Sequence, residues 1–88
     1  MKRIWKYDVV MLDRFTVNMP TGAQLLDVQM QGKAPVVWAL VDPSRERADR
    51  TFRLLGTGEE GDMTGYAYVG TFQWRMGLVF HLFVEEES

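Results

Sequence analysis

The chain is 88 residues long, contains no cysteine and carries a formal net charge of −2. That length allows one hydrophobic core in a single domain over residues 1–88, and the absence of thiols excludes a disulfide framework or a thiolate metal site. Apolar residues make up 47% of the chain and include three Trp, three Tyr and five Phe, so the core is expected to rest on aromatic rings. The basic start, Lys2, Arg3 and Lys6, runs into Tyr7 and Asp8 instead of an apolar stretch, which is unlike a signal peptide. The longest apolar runs, near Val36–Val41 and Leu78–Val84, fall short of the ~20 residues that cross a bilayer. A cytoplasmic protein with no membrane partner is expected. The acidic balance argues against nucleic acid as the partner, because phosphate binding needs clustered, unopposed cations.

In chain order, Trp5, Tyr7, Val9 and Met11 alternate with Lys6 and Asp8, the period-two pattern of a strand. Phe15, Val17 and Met19 repeat it against Arg14, Thr16 and Asn18, and the break at Asp13 and Arg14 suggests a hairpin between the two. Pro20-Thr21-Gly22 supplies a turn. Leu26, Val28 and Met30 then oppose Asp27, Gln29 and Gln31 on a third strand, and Gly32 to Pro35 reverses the chain. Val36-Val37-Trp38-Ala39-Leu40-Val41 is apolar on both faces and reads as a central strand.

Asp42-Pro43 ends that strand, and the charged run Ser44 to Asp49 reads as a solvated loop with at most one helical turn. Phe52 and Leu54 around Arg53 form a fifth strand. Gly56, Gly58, Gly61 and Gly65, interspersed with Glu59, Glu60 and Asp62, read as a mobile acidic hairpin loop. Tyr66 to Trp74 makes a sixth strand with a bulge or a close backbone approach expected at Gly70, Gln73 to Gly77 reverses the chain, and Leu78, Phe80, Leu82 and Val84 line one face of a seventh. Seven short strands without a helix-length periodic segment define an all-β fold: a small antiparallel β-sandwich or a partly open β-barrel.

These segments, taken together, resemble a family of small uncharacterised proteins encoded by bacteriophages and prophages. The resemblance is carried by Arg3-Ile4-Trp5-Lys6-Tyr7, Met19-Pro20-Thr21-Gly22-Ala23, Trp38-Ala39-Leu40-Val41-Asp42-Pro43, Thr51-Phe52-Arg53-Leu54, Tyr68-Val69-Gly70-Thr71-Phe72-Gln73 and Leu78-Val79-Phe80-His81-Leu82-Phe83. It implies an accessory protein acting in the cytoplasm of an infected bacterial host, and it brings no catalytic residue with it.

Gly56-Thr57-Gly58-Glu59-Glu60-Gly61 has the spacing G-x-G-x-x-G, yet no βαβ pattern surrounds it and two glutamates would face the phosphates. Glu59, Glu60 and Asp62 lack the spacing of a calcium loop. His81 is the only imidazole, and a nucleophilic triad would set it beside Ser44, Ser88 or a Thr. Its apolar flanks favour a packed or interface histidine whose ring nitrogens find partners. Arg45, Arg47, Arg50 and Arg53 are suited to gripping phosphates or carboxylates.

No catalytic residue, metal or cofactor is assigned. The function expected is non-enzymatic binding of a host or phage macromolecule, such as a host enzyme or a defence system. Its contacts are Arg45, Arg47, Arg50 and Arg53 with the acidic loop residues Glu59, Glu60 and Asp62. Two other readings are a sponge for a nucleotide-like small molecule and a structural self-assembling protein. Self-association into a homo-oligomer is also expected, because two-sided apolar strands need cover that a chain this short is hard pressed to provide.

Overall fold

A computed structural model describes residues 1–87. The strands in chain order are β1 (Arg3–Asp8), β2 (Arg14–Pro20), β3 (Gln24–Gln31), β4 (Ala34–Val41), β5 (Arg47–Gly56), β6 (Tyr66–Gln73) and β7 (Val79–Glu85). They form two antiparallel sheets, ordered β1-β4-β3 and β2-β5-β7-β6, with no ladder joining the sheets and no α-helix among the described residues. Of the two all-β architectures the sequence allows, the chain adopts the sandwich. No helix among the described residues is long and apolar enough to cross a membrane.

The alternation in each strand decides what the layers share. Val37, Ala39 and Val41 of β4 and Val28 of β3 face Phe15, Phe52, Leu54, Leu82 and Val84 of the other sheet, and all are buried. Phe15 and Phe52 occupy partner positions on β2 and β5, and their rings stack at 5.3 Å and 8°. β4 is central in its sheet, as its two-sided apolar sequence requires.

Four local expectations are corrected. β1 and β2 do not form a hairpin; they lie in different sheets, paired with β4 and β5. The reason is Val9, which is buried and donates its N–H to the Pro35 carbonyl at 3.1 Å, so the chain dives through the core instead of turning back. On β3 a bulge between Leu25 and Asp27 turns Leu25 inward and leaves Leu26 exposed, the reverse of simple alternation. The charged run is no loop from Arg47 onward: Arg47, Ala48 and Asp49 continue β5 against Pro20, Met19 and Asn18. The Asn18 amide donates to Asp49 at 3.1 Å there, a polar pairing that hydrophobic periodicity does not register.

The fourth correction concerns the glycine-rich acidic segment. β5 and β6 both pair antiparallel with β7 and flank it, so they run parallel to each other. Residues 57–65 therefore start beside Phe80 and end beside Glu85, and they must return along the length of β7. They form a crossover strap, not a hairpin loop.

The bulge expected at Gly70 is present, between Tyr68 and Gly70. It changes the side-chain parity of β6, so that Tyr68 points out, 60% exposed, while Phe72 points into the core. Gly70 is buried where β6 packs on β3, at one corner of the sandwich. A methyl group built there would sit 2.8 Å from a Val28 methyl and 3.3 Å from the Asp27 carboxylate.

Candidate functional site

Loops and sheet faces held by rigid strands are where recognition is normally placed, and the four-stranded sheet presents its outward side chains in rows across the strands. In one row the register sets Arg14, Arg53, Phe83 and Tyr68 side by side across β2, β5, β7 and β6. In a second row Leu55, His81 and Thr71 are neighbours. Tyr68 meets Phe83 edge to face with ring centroids 5.7 Å apart.

A chain of hydrogen bonds organises this face. His81 Nδ1 lies 2.8 Å from Thr71 Oγ1, and His81 Nε2 lies 2.8 Å from Thr57 Oγ1 on the strap. Thr71 Oγ1 in turn bonds the Tyr68 hydroxyl. One imidazole thus ties the strap to β6 and fixes the orientation of the most exposed aromatic ring on the face. Both ring nitrogens have partners, as the packed-histidine reading expects. Of the hydroxyls a triad would set beside the imidazole, Thr57 and Thr71 are there, and among the described residues no carboxylate hydrogen-bonds it; Ser88 lies outside the described residues.

The strap is fastened at several points. Arg53 donates to the Asp62 carbonyl at 3.0 Å while its guanidinium lies over the Tyr66 ring at 5.6 Å. Gly61 lies against Leu55 and Met63, Tyr66 N–H donates to the Met63 carbonyl at 3.0 Å, and Glu86 N–H to the Gly65 carbonyl at 2.8 Å. Gly58 and Gly65 take φ of +91° and +82°, which glycine supplies without strain. In the G-x-G-x-x-G stretch the Gly56 N–H already donates to the Glu59 carboxylate at 2.7 Å, so this backbone amide is occupied by the chain's own anion.

Asp62 accepts from Thr64 N–H at 2.9 Å and Thr64 Oγ1 at 2.6 Å, and these bonds hold its carboxyl below the usual carboxylate range, with Arg53 contributing less. Asp42 makes the same turn with Ser44 between β4 and β5, with the same downward direction and cause. Because the folded-state value is depressed, the Asp62 contribution is present above the ordinary carboxylate range and is lost as pH falls through the depressed value. Protection of the Thr64 amide from hydrogen exchange is therefore expected to fall over that acid window. Asp62→Ala should remove this protection at neutral pH while shifting the melting temperature by no more than about 4 °C, since the site is on the surface.

The four arginines do not converge on one ligand. Arg45 donates from Nε to Thr21 Oγ1 at 3.2 Å, and Arg47 lies over the Trp5 ring at 5.5 Å. Arg50 points inward, donates to the Ala23 carbonyl and pairs with Glu87 at 3.7 Å, closing the end of the sandwich. Arg53 holds the strap. Glu59 is likewise bonded to the end of β5 at Gly56 and Asp62 to Thr64 within the strap, whereas Glu60 is exposed with no partner among the described residues. Sequence reasoning singled out the arginines and missed the Tyr68–Thr71–His81–Thr57 chain. A usable signal was there: the tight reversal at Gln73–Gly77 sets Gln73 opposite Val79 and hence Thr71 opposite His81.

Fold and site define a two-layer antiparallel β-sandwich with one outer sheet face strapped by an acidic crossover. The chain belongs to the family described as Domain of unknown function (DUF7352), whose model matches residues 1–88. No curated protein and no solved structure matches it.

Proposed function

We propose that this is a non-enzymatic binding protein that engages another protein through the aromatic and acidic outer face of its four-stranded sheet. The observation that carries this reading is Tyr68: a large ring, 60% exposed, held in place by Phe83 on one side and by the Thr71–His81 bonds on the other. A ring ordered before contact loses little entropy on binding, which is why such residues dominate interface energetics. The strap that crosses the same sheet face carries Glu59, Glu60 and Asp62, and Glu85 is in register with Tyr66, so a partner surface combining basic and apolar groups fits best. Of the four arginines, Arg45 and Arg47 are the exposed ones. The resemblance to phage and prophage proteins supports a bacterial host protein, such as an enzyme or a defence factor, as the partner and the infected cytoplasm as the place.

Affinity capture from infected cells, comparing the native chain with Tyr68→Lys, tests the reading. Tyr68→Lys is expected to fold normally and lose its specific partner by at least about tenfold, as for a central aromatic contact. Recovery of the same partners at equal strength by both proteins refutes the role of this face.

The small-molecule reading is favoured by one recess, about 630 Å³, between the β3–β4 and β6–β7 turns, lined by Met30, Lys33, Gln73, Trp74 and Arg75. Two cations and an indole suit a nucleotide-like anion, but the Arg75 guanidinium already lies over the Trp74 ring at 4.9 Å. A nucleotide that fails to change tryptophan fluorescence at millimolar concentration removes this reading.

A further inference from the structure

We infer that two copies of this chain pair through the free edge of β1, antiparallel about a two-fold axis at Trp5, so that their three-stranded sheets join into one. The sandwich has four edge strands, β1 and β3 in one sheet and β2 and β6 in the other. A regular, uncovered edge offers its unpaired backbone donors and acceptors to any other strand, and stable folds block such rows. Three of the four edges are blocked. β3 carries the Leu25/Asp27 bulge, and its Val28 N–H is held by the Asp27 carboxylate at 2.8 Å. β6 carries the Tyr68/Gly70 bulge and packs against β3. β2 ends on Pro20, which has no N–H to offer.

β1 has none of these devices: Arg3–Asp8 holds an unbroken register with β4, without bulge or proline. Val9 N–H donates to the Pro35 carbonyl at the position that continues this register. Bonded and non-bonded pairs alternate along an antiparallel ladder, so Arg3, Trp5 and Tyr7 turn their backbone groups to β4. Ile4, Lys6 and Asp8 therefore aim theirs at the open edge. The Lys6 side chain does not screen that edge, because it is drawn across β4 to Gln31 at 2.6 Å.

Charge selects a second copy as the occupant, in one register. With the axis at Trp5, Ile4 meets Lys6 of the other copy, Arg3 meets Tyr7, and Lys2, next in the outward row, meets Asp8. Besides its Ser44 bonds, Asp42 just past β4 lies in the field of the Met1 amino group, which places the start of the chain, and Lys2 with it, alongside the end of β4. Lys2 and Asp8 are exposed, and neither side chain has a partner among the described residues. An axis at Ile4 would set Lys2 against Lys6, and an axis at Lys6 would set that lysine against itself, which like-charge repulsion opposes. Only the Trp5 axis pairs opposite charges and brings no like charges together, and the contact it makes is closed and isologous. An interface one strand wide is far smaller than the roughly 800 Å² per partner of tight complexes, so pairing is expected at high concentration only.

Backbone amide exchange on the native full chain, at about 20 µM and about 1 mM, tests the inference. At the higher concentration the Ile4 and Lys6 amides should gain at least about fivefold protection. The Thr16 amide should gain none: the Thr21 N–H bond to the Glu46 carbonyl turns it, by the same alternation, to the edge of β2. The register is read from Trp5→Cys, which places one thiol in a chain that has none. Trp5 faces its own copy in a non-hydrogen-bonded pair, where Cα atoms stand about 4.5 Å apart, within reach of a disulfide, whereas Ile4 is two residues out of step with its copy. Under mild oxidation Trp5→Cys should cross-link at least about tenfold faster than Ile4→Cys. Adding Asp8→Lys should slow that cross-link at least about fivefold, and adding Lys2→Glu as well should restore it, because opposite charges meet again. Edge amides that ignore concentration or respond no more than Thr16, an Ile4→Cys that cross-links as fast, or a charge swap that fails to rescue each overturns the inference. If circular dichroism shows that Trp5→Cys does not fold, Asp8→Lys alone takes its place: concentration-dependent protection that it leaves undiminished overturns the inference equally.

Discussion

Phe52→Ala is expected to leave the domain barely stable at room temperature. Phe52 is fully buried, stacks on Phe15 and belongs to the layer where Leu82 and Val84 meet Val37 and Ala39. Removing a buried phenyl ring costs about 3–5 kcal/mol in lost transfer energy and residual cavity. A domain of this size, with no disulfide, stands near the low end of the 5–15 kcal/mol range of native stability, so most of its margin goes. Urea unfolding monitored by tryptophan fluorescence checks this: the midpoint should collapse towards zero denaturant. Phe52→Leu should retain a cooperative transition, because it keeps most of the apolar volume.

Gly70→Ala should destabilise by about 1–3 kcal/mol through crowding rather than loss, the magnitude of an overpacked interior site. The added methyl would lie 2.8 Å from a methyl of Val28, a core residue that is 1% exposed and has nowhere to move. Gly70 does not take a positive φ, so backbone strain plays no part and the whole effect should trace to the β3–β6 contact. A fall in melting temperature of about 5 °C or more is expected for a domain of this length. Pairing Gly70→Ala with Val28→Ala should recover part of the loss if contact between these two side chains is the cause.

The strands were legible because alternation is local. Val36 to Val41 announced a central strand, and β5, β6 and β7 could be placed from Phe52, Tyr66 and Leu82 with their neighbours. What alternation cannot carry is which strands meet. The Asp13-Arg14 break looked like a hairpin, but the burial of Val9, which sends β1 and β2 into different sheets, depends on Pro35, 26 residues away in sequence. The acidic glycine segment looked mobile for a related reason. Its composition suits a loop, whereas its restraint comes from Arg53, Leu55 and His81 on a face that exists only once β7 has inserted between β5 and β6. The arginines were conspicuous by spacing, yet strand geometry sends Arg50 inward and Arg53 outward, and each finds its partner within the chain. Tyr68 and His81 were visible only as members of apolar strands. The Tyr68/Gly70 bulge and the β6–β7 register are what turn them into one constellation.

The most direct test of the binding face is a photo-reactive amino acid placed at single exposed positions of the chain in the infected cell, followed by irradiation and analysis of covalent adducts. At Tyr68 it should give an adduct of discrete mass with one partner protein, and at Arg75, on the exposed β6–β7 turn, it should give none. A discrete adduct at Arg75 with none at Tyr68 would contradict the assignment of the four-stranded face.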